Sequence, residues 1–182
     1  MSVSIEKDIV KQFGDGIMRS GAAVVDSELL VVPVCPSLDV VLGGGIPEGS
    51  FVTFTGQPKC GKTTTCLHFA AKCQGKEYGG ELCPEGRDVY FFNIEGRLKK
   101  RDLEGIPNLD LERFHVIGSE PGRILTAENY LSIAEKTINE VPGSVVILDS
   151  YSALCTEAEI TSSMDKMQRA DGAKLLAKFC RK

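Results

Sequence analysis

A glycine-rich segment between residues 56 and 63 constrains the fold of this chain more than any other feature. Its sequence, GQPKCGKT, fits the pattern G-x-x-x-x-G-K-[ST]. The apolar, β-branched run 51–55 predicts a strand before it, and residues 62–74 are predicted to form a helix after it. In a strand–loop–helix arrangement of this kind, backbone N–H groups and the positive end of the helix dipole face phosphate oxygens. The segment therefore predicts a nucleoside triphosphate site.

The residues of this phosphate loop have separate predicted tasks. Gly56 and Gly61 let the backbone turn, and Lys62 reaches the β- and γ-phosphates. The Thr63 hydroxyl can ligate Mg²⁺, and Thr64 adds a further hydroxyl near the phosphates. The predicted cofactors are accordingly ATP and Mg²⁺. The predicted nucleotide-binding residues are Gly56, Gln57, Pro58, Lys59, Cys60, Gly61, Lys62, Thr63 and Thr64.

Beyond the loop, apolar strands alternate with amphipathic helices. Strands are predicted at 29–32, 89–93, 114–117 and 144–148, and helices at 5–13, 36–42, 127–138 and 164–179. This alternation predicts an α/β fold with a mostly parallel sheet flanked by helices, and the continuous apolar run 144–148 is expected at its centre. We expect residues 1–34 to form a helix and linker and residues 35–182 an ATPase core. Because the alternation predicts another strand after the last helix, we expect the core to be incomplete.

Two acidic residues follow predicted strands of this sheet. Asp149 directly follows the strand 144–148, so it is expected at the carboxyl edge of the sheet, where it could hold Mg²⁺ through water. The alternative is an aspartate that only ends a strand. Glu95 follows the strand 89–93 and could orient and deprotonate a water that attacks the γ-phosphate. By position alone, a surface turn glutamate is an equally good interpretation.

Net charge, cysteine spacing and the length of apolar runs limit the classes of protein to which this chain can belong. The net charge of −4 argues against nucleic-acid binding through bulk positive charge but not through a local basic loop. The seven cysteines show no C-x-x-C spacing, which favours reduced, mostly buried thiols in the cytoplasm over a metal site. No apolar run approaches the roughly 20 residues of a membrane span, and residues 1–8 do not resemble a secretory signal.

Three further features have two interpretations each. The basic cluster formed by Arg97, Lys99, Lys100 and Arg101 is more typical of a solvated face than of a phosphate or nucleic-acid site. His68 and His115 are expected to be packing residues rather than ligands. The helix at 5–13, capped by Ser4 and ended by Gly14, either packs on its own core or docks on a neighbouring subunit.

Four segments resemble the RecA recombinases of bacteria and phages. They are KQFGDGIMR at 11–19, PSLDVVLGGGIPEG at 36–49, LDSYSAL at 148–154 and TEAEI at 156–160. The resemblance implies a RecA-like P-loop NTPase fold with an N-terminal helix that packs on the adjacent protomer. It also implies that Glu95 and Lys62 are catalytic, that Thr63 and Asp149 bind the metal, and that Ser150 belongs to the nucleotide site.

The implied activity is ATP hydrolysis that depends on DNA. A family member forms a helical filament on single-stranded DNA, pairs it with duplex DNA, and acts in homologous recombination, DNA repair and the SOS response to DNA damage. Two alternatives stay open: another RecA-fold ATPase that forms rings, of the helicase or clock type, and a nucleotide-binding scaffold without turnover.

The sequence also departs from the family pattern. Asn93 stands where the family usually has an acidic residue, and Lys59-Cys60 replaces small polar residues in the phosphate loop. The adenine-stacking tyrosine has no clear counterpart. The strand with the γ-phosphate-sensing glutamine and the two DNA-binding loops do not occur before Lys182, so we expect either a piece of a longer protein or a shortened relative.

Overall fold

The computed structural model describes residues 2–14, 16–26, 29–161 and 171–181. The chain divides into two compact units, residues 1–30 and 31–182. The functional division that we placed at residue 34 stays a prediction. Within the described residues, no helix combines the length and the apolar character that crossing a bilayer requires.

The first unit is helical. Its elements are α1 (Ser2–Phe13) and α2 (Gly21–Val25). The predicted first helix is confirmed, and so is its end, because Gly14 has a φ of 98° and donates its N–H to Val10. The predicted cap is wrong: α1 already begins at Ser2, so Ser4 lies inside the helix. Ile5 and Phe13 are exposed, at 62% and 60% of their surface.

The second unit is built on a three-stranded parallel sheet. Its elements, in chain order, are β1 (Val31–Val32), α3 (Pro36–Leu42), β2 (Ile46–Pro47), α4 (Lys62–Cys73), β3 (Val89–Asn93), α5 (Lys100–Glu104), β4 (Phe114–Ile117), α6 (Ala127–Glu140), β5 (Val145–Asp149), α7 (Glu157–Thr161) and α8 (Asp171–Phe179). The strand order is β4–β3–β5, and Asn93 at the end of β3 lies opposite Asp149 at the end of β5. The predicted parallel sheet is confirmed.

The position of β5 corrects a prediction. We expected this strand at the centre of the sheet, but among the described residues β3 is central and β5 forms an edge. All five residues of β5 are only half-buried, whereas Val89, Phe91 and Phe92 of β3 are fully buried. An apolar run predicts burial on both faces of a strand, but it does not reveal how many neighbours the strand has.

Helices cover both faces of β3. Successive residues of a strand point to opposite faces. Phe91 accordingly packs with Leu67 and Ala70 of α4, and Phe92 packs with Tyr130 and Ala134 of α6. The α/β layering predicted from the sequence is therefore present in this unit.

The segment before the phosphate loop is not a strand, contrary to the prediction. Residues 51–56 have no regular secondary structure, and Phe51 and Val52 expose 67% and 45% of their surface. The β-branched composition of 51–55 favours extended backbone, but a strand also needs a partner for its backbone N–H and C=O groups. The described residues provide no such pairing for this segment.

A pair of short antiparallel strands, with α3 between them in the chain, precedes that segment. β1 pairs with β2, and a Cβ on Gly45 would lie 2.2 Å from the carbonyl oxygen of Val32, so only glycine fits there. The predicted helix α3 is confirmed at both ends: it begins with Pro36 and ends at Gly43, whose φ is 71°. Proline in the first turn and glycine after the last turn are common helix signals.

Arg87 joins three distant segments at the amino ends of the strands. Its side chain is 6% exposed and forms an ion pair of 2.8 Å with Glu48. It also donates hydrogen bonds of 2.7 Å to the carbonyl oxygens of Tyr78 and Gly143. A buried guanidinium needs hydrogen-bond partners, and here each of its three nitrogens has one, from the residue after β2, the segment after α4 and the turn before β5.

The cysteines are all free thiols, but the prediction that most are buried is wrong. Cys73 is buried, whereas Cys60, Cys155 and Cys180 are exposed. Burial raises the pKa of Cys73 to about 12. Among the helical positions predicted near the end of the chain, Met164 and Met167 lie outside the described residues.

Candidate functional site

The phosphate loop is an exposed turn that leads directly into α4. Gly61 is the N-cap residue with a φ of 93°, Lys59 has a φ of 65°, and Cys60 donates its N–H to the carbonyl oxygen of Gln57. No side chain caps α4. The first N–H groups of a helix have no partner within the helix. They are therefore available here for an external acceptor, as the motif predicts.

Lys62 lies across the loop. Its ammonium group donates hydrogen bonds of 2.9 Å to the carbonyl oxygens of both Gly56 and Gln57. It is also 3.9 Å from the Cys60 sulfur. The positive charge is thus held above the turn where the motif predicts phosphate oxygens, and a bound phosphate would exchange with these carbonyl partners.

Thr63 and Asp149 are in direct contact. The Thr63 hydroxyl donates a hydrogen bond of 2.9 Å to Asp149 Oδ2, although 86 positions separate the two residues in the chain. A hydroxyl and a carboxylate are hard oxygen ligands of the kind that Mg²⁺ prefers, and Mg²⁺ usually keeps several waters beside one or two protein ligands. Within the described residues, no group of three His, Cys, Asp or Glu side chains could hold a metal alone. The pair therefore fits Mg²⁺ held jointly with phosphate and water.

Glu95 is fixed beside Asp149 through the backbone and through Ser150. The N–H groups of Ile94 and Glu95 both donate to the carbonyl oxygen of Asp149, at 3.0 and 3.2 Å. The Ser150 hydroxyl donates to Glu95 Oε1 at 2.8 Å and lies 2.8 Å from the hydroxyl of Ser152. The structure thus brings together Thr63, Asp149, Ser150 and Glu95 at the carboxyl edge of the sheet, and the peptide between Asp149 and Ser150 is cis.

Sequence reasoning missed two partners of this group. Arg97 forms an ion pair of 3.0 Å with Glu95 Oε2, and Ser152 completes the hydroxyl pair with Ser150. Arg97 follows Gly96, whose φ of 66° reverses the chain, and this geometry cannot be read from the sequence. Nothing in the sequence indicated Ser152.

The rest of the basic cluster is a solvated face. Lys100 pairs with Glu104 at 3.3 Å, and Arg101 pairs with Asp102 at 3.7 Å. The side chains of both basic residues are more than four-fifths exposed, at 85% and 81%. Exposed ion pairs of this kind contribute little to stability. Of the two interpretations left open by the sequence, this arrangement favours the solvated face.

The two histidines lie outside the core. His115 is exposed on β4, and its ring packs against Tyr90 with 4.8 Å between the ring centroids, so its predicted packing role is confirmed. His68 is exposed on α4 and lines a cavity of about 390 Å³ together with Gly61 and Thr64. That His68 is a packing residue rather than a ligand stays a prediction.

Cys66 lies on α4 behind the Thr63–Asp149 pair. Burial, with a smaller contribution from the Asp149 carboxylate, raises the pKa of Cys66 to about 11. A thiol with so high a pKa stays protonated at neutral pH, and thiolate is the form that reacts and binds metals. The environment of Cys66 thus favours the protonated thiol.

A family model described as the RecA N-terminal domain matches residues 1–182. The chain belongs to the RecA family. It is 35% identical over 176 residues to Protein RecA of Clostridium botulinum strain Eklund 17B and 33% identical over 177 residues to Protein RecA of Geobacter sulfurreducens. These alignments cover 96% of this chain in both cases, but 45% and 48% of the relatives. The chain thus spans about half the length of the curated relatives, and the resemblance inferred from four segments is confirmed.

Proposed function

We propose that this protein binds ATP with Mg²⁺ and hydrolyses it as the nucleotide-binding part of a RecA-class recombinase. The observation that carries the proposal is the 2.9 Å hydrogen bond between Thr63 and Asp149. It joins the end of the phosphate loop to the end of β5, which are the two places where a P-loop NTPase holds its metal. Membership of the RecA family supports the same assignment.

The proposed roles follow from position. Residues 56–64 bind the triphosphate through backbone N–H groups and hydroxyls, and Lys62 neutralises phosphate charge. Thr63 and Asp149 hold Mg²⁺, which supplies electrostatic stabilisation of the phosphate oxygens when it is bound. Glu95 accepts a proton from the attacking water, and Ser150 holds the Glu95 carboxylate in place.

ATP turnover by Glu95→Gln tests the catalytic role. We expect the variant to lose at least about a hundredfold in kcat while it still binds ATP, because removal of a general base affects the reaction and not the binding. Glu104→Gln is the matched control, since Glu104 is also an exposed acid with a basic partner. Turnover by Glu95→Gln equal to that of the control would show that Glu95 is not the base.

Asp149→Asn tests the metal site. The variant should need more Mg²⁺ than the unchanged protein to reach half-maximal ATP binding, because a neutral amide is a weaker ligand than a carboxylate. Titration of Mg²⁺ at fixed fluorescent ATP measures this. If half-maximal ATP binding needs the same Mg²⁺ concentration in the variant, Asp149 does not bind the metal.

The remaining proposals concern the assembled protein. We propose that it acts in the cytoplasm, forms ATP-regulated filaments on single-stranded DNA that pair with duplex DNA, and serves recombination and repair, including the SOS response. In this proposal α1 packs on the neighbouring protomer. Electron microscopy with ATP and single-stranded DNA should show filaments. Closed rings would favour a helicase- or clock-type ATPase, and ATP binding without turnover would favour a scaffold.

A further inference from the structure

The turn that carries Glu95 also places a cation against it. After β3, Gly96 donates its N–H to the carbonyl oxygen of Asn93 at 3.2 Å, and its φ of 66° lets the chain reverse. The Asn93 side chain then accepts a hydrogen bond of 3.3 Å from the N–H of Leu98. The backbone is thus fixed on both sides of Arg97. Asn93, where the family usually has an acidic residue, serves here as the acceptor that closes the turn.

Leu98 anchors this turn in the core. It packs against the buried cluster that contains Leu67 and Phe91. The Arg97 side chain, in contrast, is 84% exposed. The backbone position of Arg97 is therefore set by folding, while its guanidinium group is free to exchange one partner for another.

Both oxygens of the Glu95 carboxylate are engaged in this arrangement. Oε1 accepts from the Ser150 hydroxyl at 2.8 Å, and Oε2 lies 3.0 Å from the Arg97 guanidinium. A general base must receive the proton of water on one of these oxygens. At Oε2, a water competes with the Arg97 guanidinium for the same oxygen. The Ser150 hydroxyl fixes one carboxylate oxygen, and the contact that restrains the other oxygen comes from Arg97.

We propose that Arg97 is a positioning residue that restrains Glu95 and slows ATP hydrolysis. The inference rests on the proposed function, because it assigns Arg97 a task in the reaction of Glu95. Within the basic cluster, Lys100 and Arg101 have other acidic partners, Glu104 and Asp102. An exposed ion pair is weak and screened by salt, so the restraint is moderate and releasable.

The test compares Arg97→Gln with the unchanged protein and with Arg101→Gln, an exposed arginine of the same cluster. Arg97→Gln should raise kcat about twofold to fivefold, the range that loss of an exposed ion pair allows, with KM for ATP unchanged. Arg97→Lys should keep the low kcat because it keeps the charge. Rising ionic strength should reduce the difference between Arg97→Gln and the unchanged protein. Arg101→Gln should behave as the unchanged protein does.

Two measurements separate failure of this inference from failure of the proposed function. If the unchanged protein hydrolyses ATP but Arg97→Gln has an equal or lower kcat, Arg97 does not restrain Glu95. If the unchanged protein does not hydrolyse ATP, the proposed function fails. Nitrogen NMR of the arginine side chains then tests whether Arg97 is held by Glu95. Glu95→Gln should speed rotation of the Arg97 guanidinium in nucleotide-free protein, and an unaffected signal would overturn the inference.

Discussion

The amino ends of α4 and α6 differ in how their first backbone N–H groups, which have no partner within the helix, are capped. Thr126 caps α6: its hydroxyl accepts from the Asn129 N–H at 3.3 Å, and the Asn129 side chain accepts from the Thr126 N–H at 3.1 Å. At α4, Gly61 provides no side-chain cap. Both helices pack on the sheet, so the difference does not reflect their distance from the core. Side chains cap the first turn of α6, which has a structural role. The first N–H groups of α4 have no side-chain cap, and this helix follows the phosphate loop.

The largest effect should come from the buried leucines of the two helices. Leu67 on α4 and Leu131 on α6 are 1% and 4% exposed. Their substitution by alanine should each lower the free energy of unfolding by about 2–5 kcal/mol, because a cavity remains in the core. Urea denaturation measures this, with Val40→Ala at an 85% exposed site as the control. If Leu67→Ala lowers the free energy of unfolding no more than Val40→Ala does, α4 does not pack on the core as α6 does. The two helices would then differ in more than their caps.

A smaller effect on stability is expected at high pH, because α4 contains a buried thiol that can ionise and α6 does not. The pKa of Cys73 on α4 is raised from 9.0 to about 12, mainly by burial, whereas α6 contains no cysteine. Above about pH 9 the unfolded chain releases this proton before the folded protein does. Stability present below pH 9 is therefore lost as pH rises, by up to about 1.4 kcal/mol between pH 9 and pH 10.

Cys73→Ala isolates this contribution. The substitution shifts stability at every pH, but it should also make the alkaline decline shallower than in the unchanged protein. Urea denaturation at several pH values above 8 measures the two slopes. Parallel slopes would mean that the Cys73 thiol ionises as readily in the folded protein as in the unfolded chain.

The smallest effect should come from the cap of α6. Thr126→Ala should lower the free energy of unfolding by about 1 kcal/mol, the usual contribution of an N-cap side chain. Thermal denaturation measures it, and Ser132→Ala at an exposed position within α6 is the control. ATP with Mg²⁺ should stabilise Thr126→Ala and the unchanged protein equally. A loss of the ATP effect in Thr126→Ala would mean that α6, and not only α4, contributes to nucleotide binding.

Local signals explain which elements were predictable. Pro36 and Gly43 delimit α3, and the apolar runs of β3 and β4 match the observed strands residue for residue. These features depend on a few neighbouring residues, because proline fixes φ, glycine readily adopts a positive φ, and β-branched side chains favour extended backbone. The same holds for the start of α4 at Lys62.

Features that depend on distant residues were not predictable. The apolar run 51–55 did not reveal that it lacks a strand partner in the described chain, and the run at β5 did not reveal an edge position. In the site, sequence patterns selected Thr63, Asp149 and Glu95, which the fold brings together. They could not select Arg97, because its approach to Glu95 depends on the geometry of one turn at Gly96.

The stabilising contacts of Arg87 and the candidate nucleotide site lie at opposite ends of the parallel sheet. Arg87 and Gly143 each lie two residues before a strand, whereas Asp149 lies at the opposite end of β5. Substitutions around Arg87 should therefore change thermal stability without changing the proposed ATP turnover per folded molecule. Loss of one Arg87 partner should therefore appear as a lower melting temperature and not as a change in nucleotide affinity.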